Sequence, residues 1–182
     1  ESRKIMKITI RQEQPKDYEI VFQVIERAFR DMEMSDGTEQ FLVEKLRKSE
    51  AFVPELSLVA EFDNQIIGHI ILTKIQIKNE SDSVESLALA PVSVLPEFQR
   101  KGIGGQLIRK AHKKAQSLDF QSVILLGHAN YYPRFGYQKC SDFGIKLPFE
   151  APSENCMAIE LFPNALKGVS GTVEYSKPFF DS

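Results

Sequence analysis

The sequence predicts an α/β fold in which one sheet of mixed direction is flanked by helices. Three observations predict it. Strand-like and helix-like segments follow one another in the order β-α-α-β-β-β-α-β-α-β. Two long strand-like runs meet at Asp63-Asn64, a turn-forming pair, and read as a hairpin. A strand then runs through a short glycine-bearing loop directly into a helix, between Val92 and Gly105.

Taken in order, residues 6–11 alternate apolar and polar side chains and read as a strand. Pro15 opens a helix, since proline suits a first helical turn, and Ile20, Val21, Val24, Ile25 and Ala28 recur at helical spacing. Residues 32–37 form a loop. A second helix covers 38–48, with Phe41, Leu42 and Leu46 facing inward. Pro54 separates it from a strand over 56–62, and 65–77 returns as a longer strand. The polar stretch 78–83 leads to a strand over 86–94, in which Pro91 lacks a backbone donor and so predicts a bulge or an edge position. The helix over 102–118 carries Ile103, Leu107, Ala111, Ala115 and Leu118 as its apolar stripe. A short strand over 123–126 precedes one or two helical turns at 130–135, ended by Gly136. Strands over 157–161 and 171–175 complete the pattern.

The 182 residues favour one domain, 1–182, with 138–182 as a C-terminal extension of it. Apolar content of 42% and charged content of 26% are those of an ordinary globular protein. A formal net charge of −2 gives no general basic field, so a nucleic-acid partner is not expected. No run approaches the roughly 18 apolar residues that span a bilayer, and residues 1–5 have no apolar signal-peptide core. The two cysteines, Cys140 and Cys156, lack metal-ligand spacing and read as two buried free thiols in preference to a redox pair, which points to a cytoplasmic location and to no bound metal.

The most informative stretch is Val92-Ser93-Val94-Leu95-Pro96-Glu97-Phe98-Gln99-Arg100-Lys101-Gly102-Ile103-Gly104-Gly105. The first turn of a helix presents unpaired N–H groups and the positive end of the helix dipole, where phosphate binds readily. Glycines there allow close approach, and Arg100 and Lys101 add charge beside the same anion. Two other phosphate motifs are excluded. A P-loop requires Gly-Lys-Ser/Thr, which is absent, and a dinucleotide fingerprint requires a third glycine where Leu107 stands.

Gln99-x-x-Gly102-x-Gly104, approached by Val94 and Pro96, resembles the Gln/Arg-x-x-Gly-x-Gly/Ala signature of the Gcn5-related N-acetyltransferases (GNAT). The resemblance implies that main-chain N–H groups of Arg100, Lys101, Gly102, Ile103, Gly104 and Gly105 hold the pyrophosphate of acetyl-CoA. It implies that Val92, Ser93 and Val94 pair with the pantetheine amides, and that the central sheet is splayed to admit them. Tyr132-Pro133-Arg134-Phe135-Gly136-Tyr137 resembles a second family motif, Tyr-x-x-x-Gly-Phe, with Tyr137 in place of Phe. There the tyrosine lies near the thioester sulfur, so Tyr132 is the expected proton donor to the departing thiolate, and Tyr131 a packed aromatic. Together with Leu126-Gly127-His128, this second motif looks like a bacterial branch of predicted acetyltransferases, which brings no substrate with it.

The resemblance implies an acceptor that is a small-molecule or peptide amine and attacks directly. Some family members carry a glutamate base where Ala88 stands here, and Glu85 faces the other side of the strand. His128 is open to two readings, a proton relay or a capping or surface residue, whereas His69 and His112 read as packing or surface residues. The acidic loop with Asp31, Glu33, Asp36 and Glu39 either attracts a cationic amine or is simply solvated. Phe149, Phe162, Tyr175, Phe179 and Phe180 either cover part of the acceptor pocket or form a homodimer surface. A non-catalytic acyl-CoA-binding or sensing module, and a transferase using another acyl-CoA donor, are the rival functions.

Overall fold

The computed structural model describes residues 7–33 and 35–180. Met6, at the start of the first expected strand, Met34 in the expected loop and Ser182 at the end of the expected extension lie outside the described residues. Strands β1 (Thr9–Gln12), β2 (Phe52–Phe62), β3 (Gln65–Lys78) and β4 (Ser83–Val94) lie side by side in that order, and the three neighbouring pairs are antiparallel. Helices α1 (Tyr18–Phe29) and α2 (Glu39–Arg47) lie between β1 and β2 in the chain, and α3 (Ile103–Ser117) follows β4. The remaining strands are short: β5 (Ser122–Leu126), β6 (Gln138–Lys139), β7 (Ile145–Lys146), β8 (Cys156–Glu160) and β9 (Gly171–Glu174). β5 runs parallel to β4, β8 pairs antiparallel with β5, and β6 with β8. β9 pairs with β7 and extends the sheet along Gln76 to Lys78 of β3.

The helices cover opposite faces of the sheet. Successive side chains of a strand point to opposite sides. A Cβ on Gly68 would touch Leu107 of α3, whereas its neighbour His69 approaches Glu13, which is ion-paired with Arg47 of α2. The larger apolar core joins Val21, Val24 and Ile25 of α1, Val43 and Leu46 of α2, and Leu107 and Ala111 of α3 to the middle of the sheet. A second cluster unites Ile75, Ala88, Ile124, Ala158 and Val173 around the C-terminal strands.

Several local expectations are corrected. Ile20, Phe41 and Leu118 are exposed, and on α2 it is Val43 with Leu46 that reaches the core. Phe41 instead meets Phe22 edge to face, their ring centroids 5.4 Å apart. Pro54 lies within β2 rather than before it. It occupies the irregular stretch between the pairs Phe52–Thr73 and Ser57–Ile71, where its missing N–H costs no ladder bond. The aromatic turn at Tyr132–Phe135 is 3-10 and not α-helical, and β6 and β7 are too short to show a period in the sequence.

Candidate active site

The site begins with a parting of strands. β4 and β5 pair only at Leu87–Val123 and Ala88–Ile124. Beyond Ala88, β4 follows β3 and leaves β5. The bulge predicted from Pro91 lies at this point: between the pairs Ile70–Val92 and Leu72–Leu89, β4 carries one residue more than β3, and the Ala90–Pro91 bond is cis. Past the bulge, Leu95 N–H donates to Ile67 O at 2.8 Å. In an antiparallel pair, alternate residues turn their main-chain groups toward the partner. Ser93 therefore bonds across to His69, while Val92 and Val94 turn their N–H and C=O groups into the gap. The Gln99 side chain supports this reading, because its Nε2 donates to Val94 O at 3.0 Å. Of the three β4 residues expected to meet the cofactor, Val92 and Val94 thus face the gap, and Ser93 turns its main chain away from it.

At the mouth of the gap the chain makes a 3-10 turn, Pro96–Phe98, and enters α3. Arg100 (φ +64°) and Gly102 (φ +81°) both adopt the left-handed conformation, which is uncommon for a residue with a Cβ and costs glycine nothing. Gly102 caps α3 without a side-chain hydrogen bond, and the first intrahelical bond of the turn runs from Gln106 N to Gly102 O at 3.1 Å. The N–H groups of Ile103, Gly104 and Gly105 are those a first helical turn leaves without helical partners. Left-handed residues in such a turn make an anion-binding concavity. Arg100 and Lys101 are exposed, whereas Ile103 is buried and anchors the helix end.

The glycines serve different ends. Gly102 provides a backbone conformation. Gly105 provides room, since a Cβ there would lie 3.3 Å from the Phe135 ring and 3.4 Å from Arg109 Nη1. A Cβ on Gly104 would lie 3.5 Å from Tyr131 Oη. The two sequence motifs therefore meet: the aromatic turn packs on the N-terminal turn of α3. Phe135 was not expected in the site. Only its spacing within the Tyr132 motif hinted at a packing role.

Tyr132 sits where β5 ends. Its ring lies over Gly127, where even a methyl group would be far inside van der Waals contact. Gly127 is thus the seat of Tyr132, and its position just after the β5 apolar run is the signal that could have revealed it. Tyr131 and Tyr137 pack edge-on to Tyr132, with ring centroids 5.0 and 5.8 Å away. Burial, and then neighbouring Tyr131, push the Tyr132 phenol up to about 12, so it keeps its proton at neutral pH. Tyr137 is buried, and its hydroxyl meets His112 Nε2 at 2.7 Å. Arg134 lies over the Tyr131 ring, 4.7 Å from its centroid, and donates to the Tyr131 carbonyl at 2.9 Å.

The other candidates separate. His128 is exposed, and its carbonyl, not its ring, receives the N–H groups of Tyr131 and Tyr132. His69 is fully buried and held neutral, its pKa lowered to about 4 chiefly by burial. Its Nε2 lies 2.9 Å from Ser57 Oγ, beside the buried Glu13–Arg47 pair. Ala88 is buried in the second apolar cluster and supplies no base. Glu85 is exposed. Among the described residues, no group of three or more His, Cys, Asp or Glu side chains is placed to hold a metal ion, and no helix is long and apolar enough to cross a membrane.

A sheet opened on one side of β4, a bare helix N-terminus at the opening and an aromatic turn packed on that terminus make up the candidate site. The profile of the acetyltransferase (GNAT) domain matches residues 54–139, the segment that holds this framework. A crystal structure of a GNAT family acetyltransferase from Brucella melitensis, in complex with acetyl-CoA, is 32% identical, covers 96% of this chain and 99% of its own, and superposes with a TM-score of 0.79. The chain belongs to the Gcn5-related N-acetyltransferase family. The uncharacterized N-acetyltransferase YjhQ of Escherichia coli K12 is 41% identical over 115 residues, which take in 63% of this chain and 64% of YjhQ, just under two thirds of its length. The fold of E. coli YhbS, crystallised with CoA, agrees over the whole of this chain and 96% of its own, with a TM-score of 0.88 at 24% identity.

Proposed function

We propose that this enzyme transfers an acetyl group from acetyl-CoA to a primary amine of a small molecule or peptide, by direct attack of the amine on the thioester. The observation that carries the reading is the open half of β4, where Val92 and Val94 turn main-chain groups into a gap that ends at the bare N-terminus of α3. An extended ligand with amides along its length and a pyrophosphate at its end matches both features. The amides pair with Val92 and Val94 as a neighbouring strand would. The pyrophosphate meets the N–H groups of residues 100–105. For Val94 this requires Gln99 to release the carbonyl it now holds.

The chemistry follows from Tyr132. As the C–S bond breaks, the departing sulfur needs a proton, and a phenol whose pKa is pushed to about 12 retains one to give. The Tyr132 ring is seated on Gly127 and packed edge-on by Tyr137, which limits how far it can move. Cys140 is a poor alternative nucleophile. It is 1% exposed, and burial with neighbouring Cys156 pushes its thiol to about 12.

A cleft of about 560 Å³ beside α2 is lined by Asp36, Glu39, Lys45, Phe41, Phe179 and Phe180 among others, and its two carboxylates against one ammonium favour a cationic acceptor. The Asp36 carboxylate is held below its usual range by hydrogen bonds from the Thr38 hydroxyl and N–H, and so is charged at neutral pH. The C-terminal extension thereby walls this cleft. The test is a panel of amines with acetyl-CoA, read by free-thiol release and by product mass. Acetylated product from a cationic amine is the expected result. CoA binding without thiol release across the panel would instead identify an acyl-CoA-binding module.

A further inference from the structure

We propose that Cys140 and Cys156 form a dithiol site that closes to an internal disulfide on meeting a disulfide oxidant of the oxidised-glutathione type. The first support is register. β6 and β8 pair at Gln138–Ala158 and Lys139–Met157, and Cys140 and Cys156 are the next residues of the two chains beyond that last pair, Cys140 opening a 3-10 turn. Adjacent antiparallel chains hold opposed Cβ atoms about 4.5–5.5 Å apart, and a disulfide spans about 3.5–4.5 Å. The second support is a shared cleft of about 660 Å³, lined by both cysteines together with Leu147, Phe149 and Pro152. The third is mutual influence: the nearby Cys156 thiol adds to the effect of burial on Cys140, and both thiols act on Tyr175.

The two sulfurs are unequal in access, which sets the order of events. Cys156 is half-buried, its Sγ 3.6 Å from the Pro152 carbonyl oxygen, whereas Cys140 is buried. Cys156 loses its proton and attacks one sulfur of oxidised glutathione. An S–S bond forms to Cys156 and one glutathione thiolate leaves. Cys140 then loses its proton and attacks Cys156 Sγ, and the second glutathione leaves. Two S–H bonds are lost and one S–S bond is formed in the protein. Two electrons pass to the oxidant, which ends as two glutathione thiols. The product ties the end of β6 to the start of β8, a few residues from the Tyr132 turn.

The test exposes the folded full-length chain to oxidised glutathione, blocks remaining thiols with N-ethylmaleimide after unfolding, and reads intact and peptide masses. The expected product is lighter than the reduced chain by two hydrogens, takes up no maleimide, and yields one peptide pair joined through Cys140 and Cys156. Cys140→Ser should trap a lasting glutathione adduct on Cys156, and Cys156→Ser should stay unmodified while folded. A lasting glutathione adduct on the wild-type chain, a disulfide between two chains, or two maleimides after oxidation would overturn the proposal. Phenylarsine oxide, which bridges paired thiols, gives a readout independent of the variants. Wild type should retain it against a monothiol and release it to a dithiol, and release to the monothiol would count against the site.

Discussion

The two halves of β4 differ in what lies beside them. From Ser83 to Leu89 the strand is held in the sheet, paired with β3 along its length and with β5 at Leu87 and Ala88. From Val92 to Val94 it keeps β3 but has lost β5, and its second row of main-chain groups faces a gap. An unpaired strand edge is normally a hazard, because it invites pairing with other chains. Here it sits within the sheet beside a helix N-terminus, and the function proposed above uses the same unpaired groups as a binding surface. The closed half should govern stability, and the open half ligand binding.

The largest effect should come at the open end. Gly104→Glu places a carboxylate among the N–H groups of residues 103–105, and CoA affinity should fall by about 10³-fold, or about 4 kcal/mol. Calorimetric titration of a variant with unchanged circular dichroism is the measurement, and near-native affinity would remove the loop from the site.

The closed half should respond in the opposite sense. Leu87 is fully buried, and Leu87→Ala should cost about 3 kcal/mol of stability in urea unfolding, while folded protein keeps its CoA affinity. A loss of affinity with intact stability would erase the distinction between the halves. Acid probes the face toward which Ser93 turns. His69 has a folded pKa of about 4 against an ordinary 6.5. Its unfolded form therefore takes up a proton first as pH falls. Stability is complete above about 6.5 and declines by about 3 kcal/mol toward pH 4, with no further loss from this group below it. His69→Gln should flatten that slope.

Tyr132→Phe keeps the ring on its glycine seat and deletes one donor. Single-turnover transfer should slow by roughly 10²-fold with acetyl-CoA binding unchanged, and Tyr131→Phe should be close to normal. Equal rates for wild type and Tyr132→Phe would rule out the donor role. The smallest effect is expected from Lys101→Ala. Its exposed side chain should add less than about 1 kcal/mol to CoA binding, and that part should fade at high salt. Complete loss of binding at both salt levels would make the side chain, and not the main chain, decisive.

The open half of β4 was the more legible of the two in the sequence. Pro91 announced the bulge, and Gln99 to Gly105 announced a bare helix start, because both follow from residues that are neighbours in the chain. The roles within the loop were less legible. Gly105 reads in the sequence as clearance for phosphate, and the structure adds that it gives room to Phe135, which is thirty positions away and unconnected by any local pattern. Phe41 was assigned to the core by spacing alone. Tertiary packing rotates α2 so that Val43 takes that place and Phe41 meets Phe22.

Local sequence set the order of the elements as far as β5, the hairpin at Asp63-Asn64, the irregularity at Pro91, and the glycine-capped start of α3. Each is set by backbone preferences or by hydrogen-bonding groups within a few residues. Long-range packing set the rest: β5 touches β4 at two residues and then parts from it, Gly127 receives the Tyr132 ring, and Glu13, Arg47, Ser57 and His69 share one buried cluster. It alone brought Cys140 and Cys156 to the end of one ladder, each next to its last pair, Lys139–Met157. These are contacts between distant segments. They depend on which faces are buried together and on strand register, and neither is encoded in any single stretch of the chain.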